Sequence, residues 1–261
     1  MPDGRFAGRR ALVTGASRGI GAATAAALAA QGAHVAVVAR TVDAHPTLPG
    51  SLRETAERLS SYDGRVVTIA ADLAQPADRD RIVAAAVDGL GGPVEILVNN
   101  AAAAVYKEMA DYPLDAVRTT VEVNVVAPLH LSQAVIPPMR DAGEGWIVNL
   151  SSATARPVAG PPYPSMILGS KLGVYGGAKA MLNRVTAALA QEVHGTGIRV
   201  NTVEPRSAVM SEGADALLGG RLGADQIETM EQMVAGVLVL CGCAPDHTGR
   251  NDVSLDLIAG M

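Results

Sequence analysis

The stretch Thr14-Gly15-Ala16-Ser17-Arg18-Gly19-Ile20-Gly21 stands where a short apolar run meets an alanine-rich helical pattern. Glycines in such a turn allow a tight bend and let the backbone approach a pyrophosphate closely. The helix that follows offers free N–H groups and the positive end of its dipole to phosphate. Glycine also marks ordinary turns, but the position between a strand and a helix favours nucleotide binding for this G-x-x-x-G-x-G spacing. The predicted cofactor contacts in the turn are Gly15, Ser17, Arg18, Gly19, Ile20 and Gly21.

Aliphatic runs alternate with helix-length segments along the rest of the chain. Strands are predicted at Arg10–Thr14, His34–Ala39, Arg65–Ala70, Glu95–Val98, Trp146–Leu150, Ile198–Val203 and Asp252–Leu257. Helices are predicted at Gly19–Gln31, Leu52–Ser60, Ala77–Gly89, Leu114–Met139, Tyr175–His194 and Glu228–Cys241. Continuously apolar strands joined by helical crossovers indicate an α/β fold with a doubly wound parallel sheet, covered by helices on both faces. The composition shows no linker, so residues 1–261 are interpreted as one domain.

Composition narrows the function classes. The chain has 261 residues, 49% of them hydrophobic but only 3% aromatic, and a formal net charge of −5. This mild acidity without clustered Lys and Arg argues against nucleic-acid binding. No run reaches the roughly 18 apolar residues that a membrane span needs. Two cysteines spaced C-x-C and five scattered histidines match no metal-ligand pattern. We therefore expect a cytoplasmic protein that binds neither metal, nucleic acid nor membrane.

Two proline- and glycine-rich segments interrupt the alternation, at 155–174 and 205–226. In an open α/β sheet, ligands bind beyond the carboxyl ends of the strands, where both segments are expected to lie. Long loops in a compact fold are usually functional or mobile. We expect these two to shape a substrate site; for 155–174, a subunit contact and a plain surface excursion are the alternatives.

The residues after the second strand bear on which nicotinamide cofactor would bind. An acidic residue there binds the ribose hydroxyl of NAD and repels the 2′-phosphate of NADP. This chain has Ala39-Arg40-Thr41 at that place, without a carboxylate. Arg40 and Arg18 are both able to approach a 2′-phosphate, although either is equally compatible with a solvated surface arginine. The sequence thus favours NADP(H), with NAD(H) as the alternative.

Two further strand ends carry polar residues. Asp72-Leu73 follows the third strand and is placed to contact the adenine, or to form the turn that enters the next helix. Asn99-Asn100-Ala101-Ala102 follows the fourth strand. An Asn pair there is able to join neighbouring strands and contact a ribose, although Asn is also an ordinary turn residue.

Tyr175 and Lys179 form a candidate catalytic pair. Positions i and i+4 share a helix face, so the phenol and the ammonium converge. A nearby Lys⁺, together with an oxidised nicotinamide ring, would lower the pKa of the tyrosine, which then exchanges a proton with a carbonyl or alcohol oxygen. Taken alone, a Y-x-x-x-K pair is more often surface packing. Ser152, at the end of the fifth strand, is able to hydrogen-bond a developing oxyanion. Asn124, inside a helical pattern, would hold a water or open a backbone carbonyl for a proton relay, if it is not a helix cap or surface residue.

In this order, these residues resemble the short-chain dehydrogenase/reductase family over essentially the whole chain. The matches are Thr14–Gly21 to the cofactor turn, Asp72-Leu73 to the adenine contact, Asn99–Ala101 to the Asn-Asn-Ala motif, and Asn124, Ser152, Tyr175 and Lys179 to the active site. The resemblance implies a Rossmann-like seven-stranded sheet, a homotetramer or dimer, and hydride transfer between NAD(P) and a carbonyl or alcohol. It also implies the individual roles. Ser152 polarises the carbonyl, Tyr175 is the acid/base, Lys179 binds the ribose and lowers the tyrosine pKa, and Asn124 supports the relay.

Three positions depart from the family pattern. Ala102 replaces the glycine of Asn-Asn-Ala-Gly, Pro205-Arg206 replaces Pro-Gly, and Met210 stands where a threonine contacts the nicotinamide amide. Ala102 and Pro205 keep their predicted place beside the cofactor. Two hypotheses follow: an NADP(H)-dependent oxidoreductase for a small-molecule carbonyl or alcohol, and a non-catalytic NADP(H)-binding regulatory protein on the same fold.

Overall fold

The computed structural model describes residues 4–163, 169–211 and 227–260. Its strands are β1 (Arg10–Thr14), β2 (His34–Ala39), β3 (Val66–Ala70), β4 (Ile96–Asn99), β5 (Gly145–Leu150), β6 (Ile198–Glu204), β7 (Ala208–Val209), β8 (Ile227–Glu228) and β9 (Asn251–Val253). Its α-helices are α1 (Gly19–Ala30), α2 (Leu52–Leu59), α3 (Pro76–Leu90), α4 (Leu114–Val121), α5 (Ala127–Ala142), α6 (Gly173–Glu192), α7 (Met230–Leu240) and α8 (Ser254–Ala259). The predicted substrate segment 205–226 lies largely outside the described residues. Residues 164–168 of the other predicted substrate segment, 155–174, also lie outside them.

Seven strands form one parallel sheet in the order β3-β2-β1-β4-β5-β6-β9. The chain runs outward from β1 to β3 and then crosses back to β4, which pairs with the other side of β1. That reversal is the switch point at which open α/β sheets bind ligands. The predicted Rossmann-like seven-stranded sheet is confirmed, and the glycine turn lies at its switch point.

The two faces of the sheet bury separate apolar clusters because successive side chains of a strand point to opposite faces. Val13 of β1 packs with α1 and α7, through Leu28 and Met233. Leu12, its neighbour, packs on the other face, where α3 contributes Ile82 and α5 contributes Leu131. The chain is rich in aliphatic and poor in aromatic residues because both clusters are built mainly from Ala, Val, Leu and Ile.

Local signals in the sequence fix several helix ends. The Ser51 hydroxyl accepts from the backbone N–H of Glu54 and begins α2. Thr229 and Gln232 form a reciprocal capping box at the start of α7. Helix α3 starts with Pro76 and ends at Gly91, which adopts the left-handed conformation.

The last predicted strand and the long predicted helix were both wrong in part. Asp252–Leu257 is a strand only up to Val253, and α8 begins at Ser254. The run DVSLDL alternates in polarity, but short runs do not distinguish strand from helix. The predicted Leu114–Met139 helix is broken by a π-helical turn at Glu122–Val126 and extends to Ala142. The short parallel pair of β7 with β8 was not predicted.

Candidate active site

The glycine turn leaves room for a phosphate group. Gly15 and Gly19 have φ angles of +66° and +57°, which favour glycine. A Cβ on Gly21 would lie 2.3 Å from Asn100 Nδ2 and 2.5 Å from the Gly15 carbonyl oxygen, so only glycine fits. Helix α1 has no side-chain cap and no acidic residue in its first turn. An uncapped helix N-terminus beside a glycine turn fits the pyrophosphate of a dinucleotide.

Asn100 fastens this turn to the end of β4. Its Nδ2 donates to the carbonyl oxygens of Thr14 (2.8 Å) and Gly15 (3.2 Å). In return the Thr14 hydroxyl accepts from the backbone N–H groups of Asn100 and Ala101, both at 3.1 Å. The Asn pair therefore joins neighbouring strands, as the sequence indicated. Asn100, Ala101 and the exposed Ala102 all lie at the switch point; their contact with a ribose stays a prediction.

A buried amide chain connects the sheet to α6. Asn99 Nδ2 donates to Asn149 Oδ1 at 2.8 Å, across β4 and β5. Asn149 Nδ2 donates to the Thr186 hydroxyl at 2.8 Å, and that hydroxyl donates to the Leu182 carbonyl. Buried polar groups that are bonded in this way fix the elements that carry them. Sequence reasoning missed Thr186, because nothing in a single sequence marks one helical threonine as the partner of a strand asparagine.

Tyr175 and Lys179 converge on one face of α6, as the i, i+4 spacing predicts. The Lys179 Nζ lies 5.7 Å from the centroid of the Tyr175 ring. It donates to the Leu150 carbonyl oxygen at 2.7 Å, and the residue is only 2% exposed. Burial without a carboxylate partner disfavours the charged form. Desolvation lowers the pKa of Lys179 to about 7.

The pKa of Tyr175 differs from the expectation. Burial raises it well above its ordinary value of 10.0; the nearby Tyr106 adds to the rise, and a hydrogen bond with Ser152 opposes it. A lysine with a pKa of about 7 carries only part of its positive charge at neutral pH. Lys179 alone therefore does not lower the tyrosine pKa, and the expected decrease, which depends on Lys179 together with an oxidised nicotinamide, stays a prediction.

Ser152 is brought to Tyr175 by a short 3₁₀ turn, Ala153–Ala155, at the carboxyl end of β5. Its Oγ accepts from the backbone N–H of Thr154 at 3.2 Å and from the Thr154 hydroxyl at 2.9 Å. The Ser152 hydroxyl also lies close enough to the Tyr175 phenol to counteract the rise of its pKa. Serine and tyrosine hydroxyls at one point are the arrangement that binds and protonates a carbonyl oxygen.

Asn124 lies in the π-helical turn between α4 and α5 and is fully buried. Its Nδ2 donates to the carbonyl oxygens of Ala103 (2.6 Å) and Thr120 (2.8 Å). Within the described residues its Oδ1 accepts no hydrogen bond. π-helical turns occur frequently at functional sites, and a buried acceptor of this kind fits an ordered water. The structure excludes the surface and helix-cap alternatives.

Two arginines are predicted to select the cofactor: Arg18 lies in the glycine turn, and Arg40 directly follows β2. Arg18 donates to the carbonyl oxygens of Pro49 (2.7 Å) and Gly50 (2.9 Å) and reaches the Thr41 hydroxyl at 3.5 Å. Arg40 is exposed. It lines an open pocket of about 450 Å³ with Thr41 and residues 42–46. Arg18 thus orders the loop, and Arg40 remains available to an anion.

Asp72 forms the helix-entry turn, the second of its two predicted roles. Its Oδ1 accepts from the Ala74 N–H at 3.0 Å, and its own N–H donates to Asp78 Oδ2 at 2.7 Å. Leu73 is buried, with its carbonyl accepting from Arg79 at 2.7 Å. Contact of either residue with an adenine stays a prediction.

The segment after β6 differs from the family pattern in its contacts as well. Arg206, which replaces the glycine after Pro205, donates its N–H to Glu228 Oε2 at 3.2 Å. Its guanidinium pairs with Asp256 of α8. Met210 is partly buried. How this segment would meet a nicotinamide, Pro205 included, stays a prediction.

Within residues 4–163, 169–211 and 227–260, no group of three or more His, Cys, Asp or Glu side chains is arranged to hold a metal ion. No helix in this part of the chain has the length and apolarity to cross a membrane.

Comparisons with known proteins show the family of this chain. The family model described as short chain dehydrogenase matches residues 9–214. The glycine betaine reductase of Emericella nidulans is 34% identical over 98% of this chain, which spans only 19% of that protein. An uncharacterized oxidoreductase of Staphylococcus epidermidis is 30% identical over 94% of this chain and 95% of its own.

Among solved structures, a short chain dehydrogenase from Burkholderia cenocepacia in complex with NADP is 31% identical, with a TM-score of 0.79 over 95% of this chain and 97% of its own. Sequence, fold and site geometry therefore lead to one conclusion: the chain belongs to the short-chain dehydrogenase/reductase family of NAD(P)-dependent oxidoreductases.

Proposed function

We propose that this protein interconverts a carbonyl and an alcohol by hydride transfer with NADP(H). The observation that carries the proposal is the convergence of Ser152, Tyr175 and Lys179 at the carboxyl ends of the strands, on the same edge of the sheet as the glycine turn. A bound nicotinamide cofactor would supply or accept the hydride. The turn Thr14–Gly21 would hold its pyrophosphate on the N-terminus of α1.

The protein's own residues would orient the substrate and move the proton. The Ser152 and Tyr175 hydroxyls bind the carbonyl oxygen, and Tyr175 donates its proton to that oxygen in reduction or removes it in oxidation. Lys179 binds the ribose and, when protonated, favours the phenolate. The buried Asn124 holds a water with its open Oδ1, through which the proton is replaced.

Charge supports NADP(H) over NAD(H). Arg40 is exposed at the end of β2, where no carboxylate would repel a 2′-phosphate. Asp43, the nearest acidic residue along the chain, is paired with Arg53, whose Nε donates to Oδ1 at 2.8 Å. The Burkholderia cenocepacia relative was solved with NADP bound.

The test measures oxidation of NADPH and NADH by the purified protein across a panel of ketones, aldehydes and β-keto esters. Tyr175→Phe should lower kcat by about 100-fold or more, because it removes the proton donor. NADPH affinity, followed by fluorescence titration, should stay within about twofold. Tyr62→Phe, at an exposed tyrosine outside the site, is the matched control. An unchanged rate in Tyr175→Phe would show that another group moves the proton.

The second candidate is a non-catalytic NADP(H)-binding regulatory protein. Arg206 and Met210 favour it, because they replace residues that the family uses beside the nicotinamide. It predicts NADPH binding without turnover of any substrate. The same panel and titration separate the two candidates.

We further propose that the chain forms a homodimer or homotetramer, as the family resemblance implies. Light scattering during size-exclusion chromatography measures the mass, and a species of 26.6 kDa would refute the proposal. The cytoplasmic location stays a prediction.

A further inference from the structure

The turn that carries Ser152 is held between α6 and β6. On one side it packs against α6 at Gly176, where a Cβ would lie 2.4 Å from the Thr154 carbonyl oxygen. Only glycine allows this approach, and Gly176 directly follows Tyr175. One end of the turn therefore lies against the helix that carries the proposed acid/base.

At its other end the turn is anchored by Arg156, the residue that follows Ala155. Arg156 Nε donates to Glu204 Oε1 at 2.8 Å, and Nη2 donates to the Arg206 carbonyl oxygen at 3.3 Å. Glu204 is the last residue of β6, and its side chain is only 3% exposed. A planar guanidinium that bonds two acceptors holds a defined geometry, which a lysine ammonium does not reproduce.

An ion pair between two exposed side chains adds little to the stability of a fold. The pair of Arg156 and Glu204 is of a different kind, because the Glu204 carboxylate is buried away from water. Burial raises the pKa of Glu204, and Arg156 opposes that rise. Its Oε2 accepts no hydrogen bond within the part of the chain that the structure describes. The energetic cost of this buried carboxylate is consistent with a role in fixing the turn.

We propose that Arg156 is a positioning residue that holds Ser152 beside Tyr175. It acts by tying the turn Ala153–Ala155 to Glu204 and to the Arg206 carbonyl at the end of β6. The inference deepens the proposed function, because it rests on Ser152 and Tyr175 as the groups that bind the carbonyl oxygen.

The first test needs no substrate. Tyrosine labelled with ¹³C at Cζ gives one NMR signal per residue, and the chain has five tyrosines. Tyr175→Phe assigns the signal of interest, and Ser152→Ala shows its position when the serine hydroxyl is absent. Arg156→Gln should move the Tyr175 signal at least half of the way to that position.

A double variant separates positioning from stability. Arg156→Gln alone leaves Glu204 buried without its partner and is expected to lower the free energy of unfolding. Arg156→Gln with Glu204→Gln removes both charges, so stability to urea should return towards that of the wild type. The Tyr175 signal should stay displaced in the double variant, because a glutamine side chain at position 156 is too short to reach the side chain at position 204 and the Arg206 carbonyl oxygen. A signal at the wild-type position in both variants would overturn the proposal.

Kinetics give the second test. With the best substrate of the panel, the double variant should lower kcat by about 10-fold to 100-fold, the scale of a misplaced catalytic group. The affinity for NADPH should change less than about twofold. Arg65→Lys, which shortens an exposed arginine bonded to the Leu90 carbonyl at the opposite end of the sheet, should change neither. If the wild type turns over no substrate, the proposed function fails, and the NMR result still decides whether Arg156 positions Ser152.

Discussion

Replacing Lys179 with methionine should abolish catalysis and yet stabilise the fold. The side chain is buried, and among the described residues its one hydrogen bond is to the Leu150 carbonyl oxygen. Desolvation lowers its pKa from 10.5 to about 7. Between these two pH values the unfolded chain binds a proton that the folded chain does not. The free energy of unfolding of the wild type should therefore rise as the pH rises from 7 to 10.

The magnitude follows from the size of the shift. One pKa unit corresponds to about 1.4 kcal/mol, so the buried lysine destabilises the fold by about 4 kcal/mol at pH 7. At pH 10 the remaining penalty is about 1 kcal/mol. The lost hydrogen bond to Leu150 offsets about 1 kcal/mol in the variant. Lys179→Met should thus be more stable than the wild type by about 3 kcal/mol at pH 7, and about equal to it at pH 10.

The assay is urea unfolding followed by circular dichroism at pH 7 and pH 10, with turnover measured in parallel. Lys107→Met is the matched control, because Lys107 is exposed and its replacement should not alter the pH dependence. A variant less stable than the wild type at pH 7 would refute the reasoning. So would a stability difference that does not change with pH.

Three further predictions test the site. Gly21→Ala should weaken NADPH binding by about 10-fold or more and destabilise the fold by about 1–3 kcal/mol, because its methyl group would lie 2.3 Å from Asn100 Nδ2. Gly177→Ala is the control, since its methyl group would meet no described atom within 4 Å. Arg40→Asp should raise the Kd for NADPH by about 10-fold or more and affect NADH less; equal NADPH affinity would remove Arg40 from the phosphate site. Thr186→Val should cost about 1–3 kcal/mol in urea unfolding, because the buried Asn149 amide loses its acceptor; unchanged stability would show that the amide is bonded elsewhere.

Local sequence signals predicted the order and type of most elements. Strands β1 and β2 have the predicted bounds, because continuous apolar runs between turn residues leave little choice. The failure at Ser254 has a tertiary cause. Its hydroxyl is fully buried and donates to Glu228 at 2.7 Å, a contact made across 26 residues of sequence. Polarity alternation over six residues carries no information about such a partner.

The candidate catalytic residues were predictable to different degrees, because Ser152 and Asn124 take their expected roles from the family resemblance. Tyr175 and Lys179 share a helix face by spacing alone, and the glycine turn is defined by its own backbone requirements. Asn124 was identified in the sequence, but the π-helical turn that points its amide at the Ala103 carbonyl was not.

By itself, the sequence predicted the doubly wound sheet, the nucleotide turn and the shared helix face of Tyr175 and Lys179, since these depend on periodicity and short spacing. Ser152 joined that candidate set through the resemblance to the family. Only the tertiary structure decided the protonation of that set and what holds it in place. Burial depends on every element packed around a group, and it shifts the pKa of Lys179 down and that of Tyr175 up. The bond from Arg156 to Glu204 joins residues 48 positions apart. Such contacts arise when the chain folds, so no local pattern encodes them.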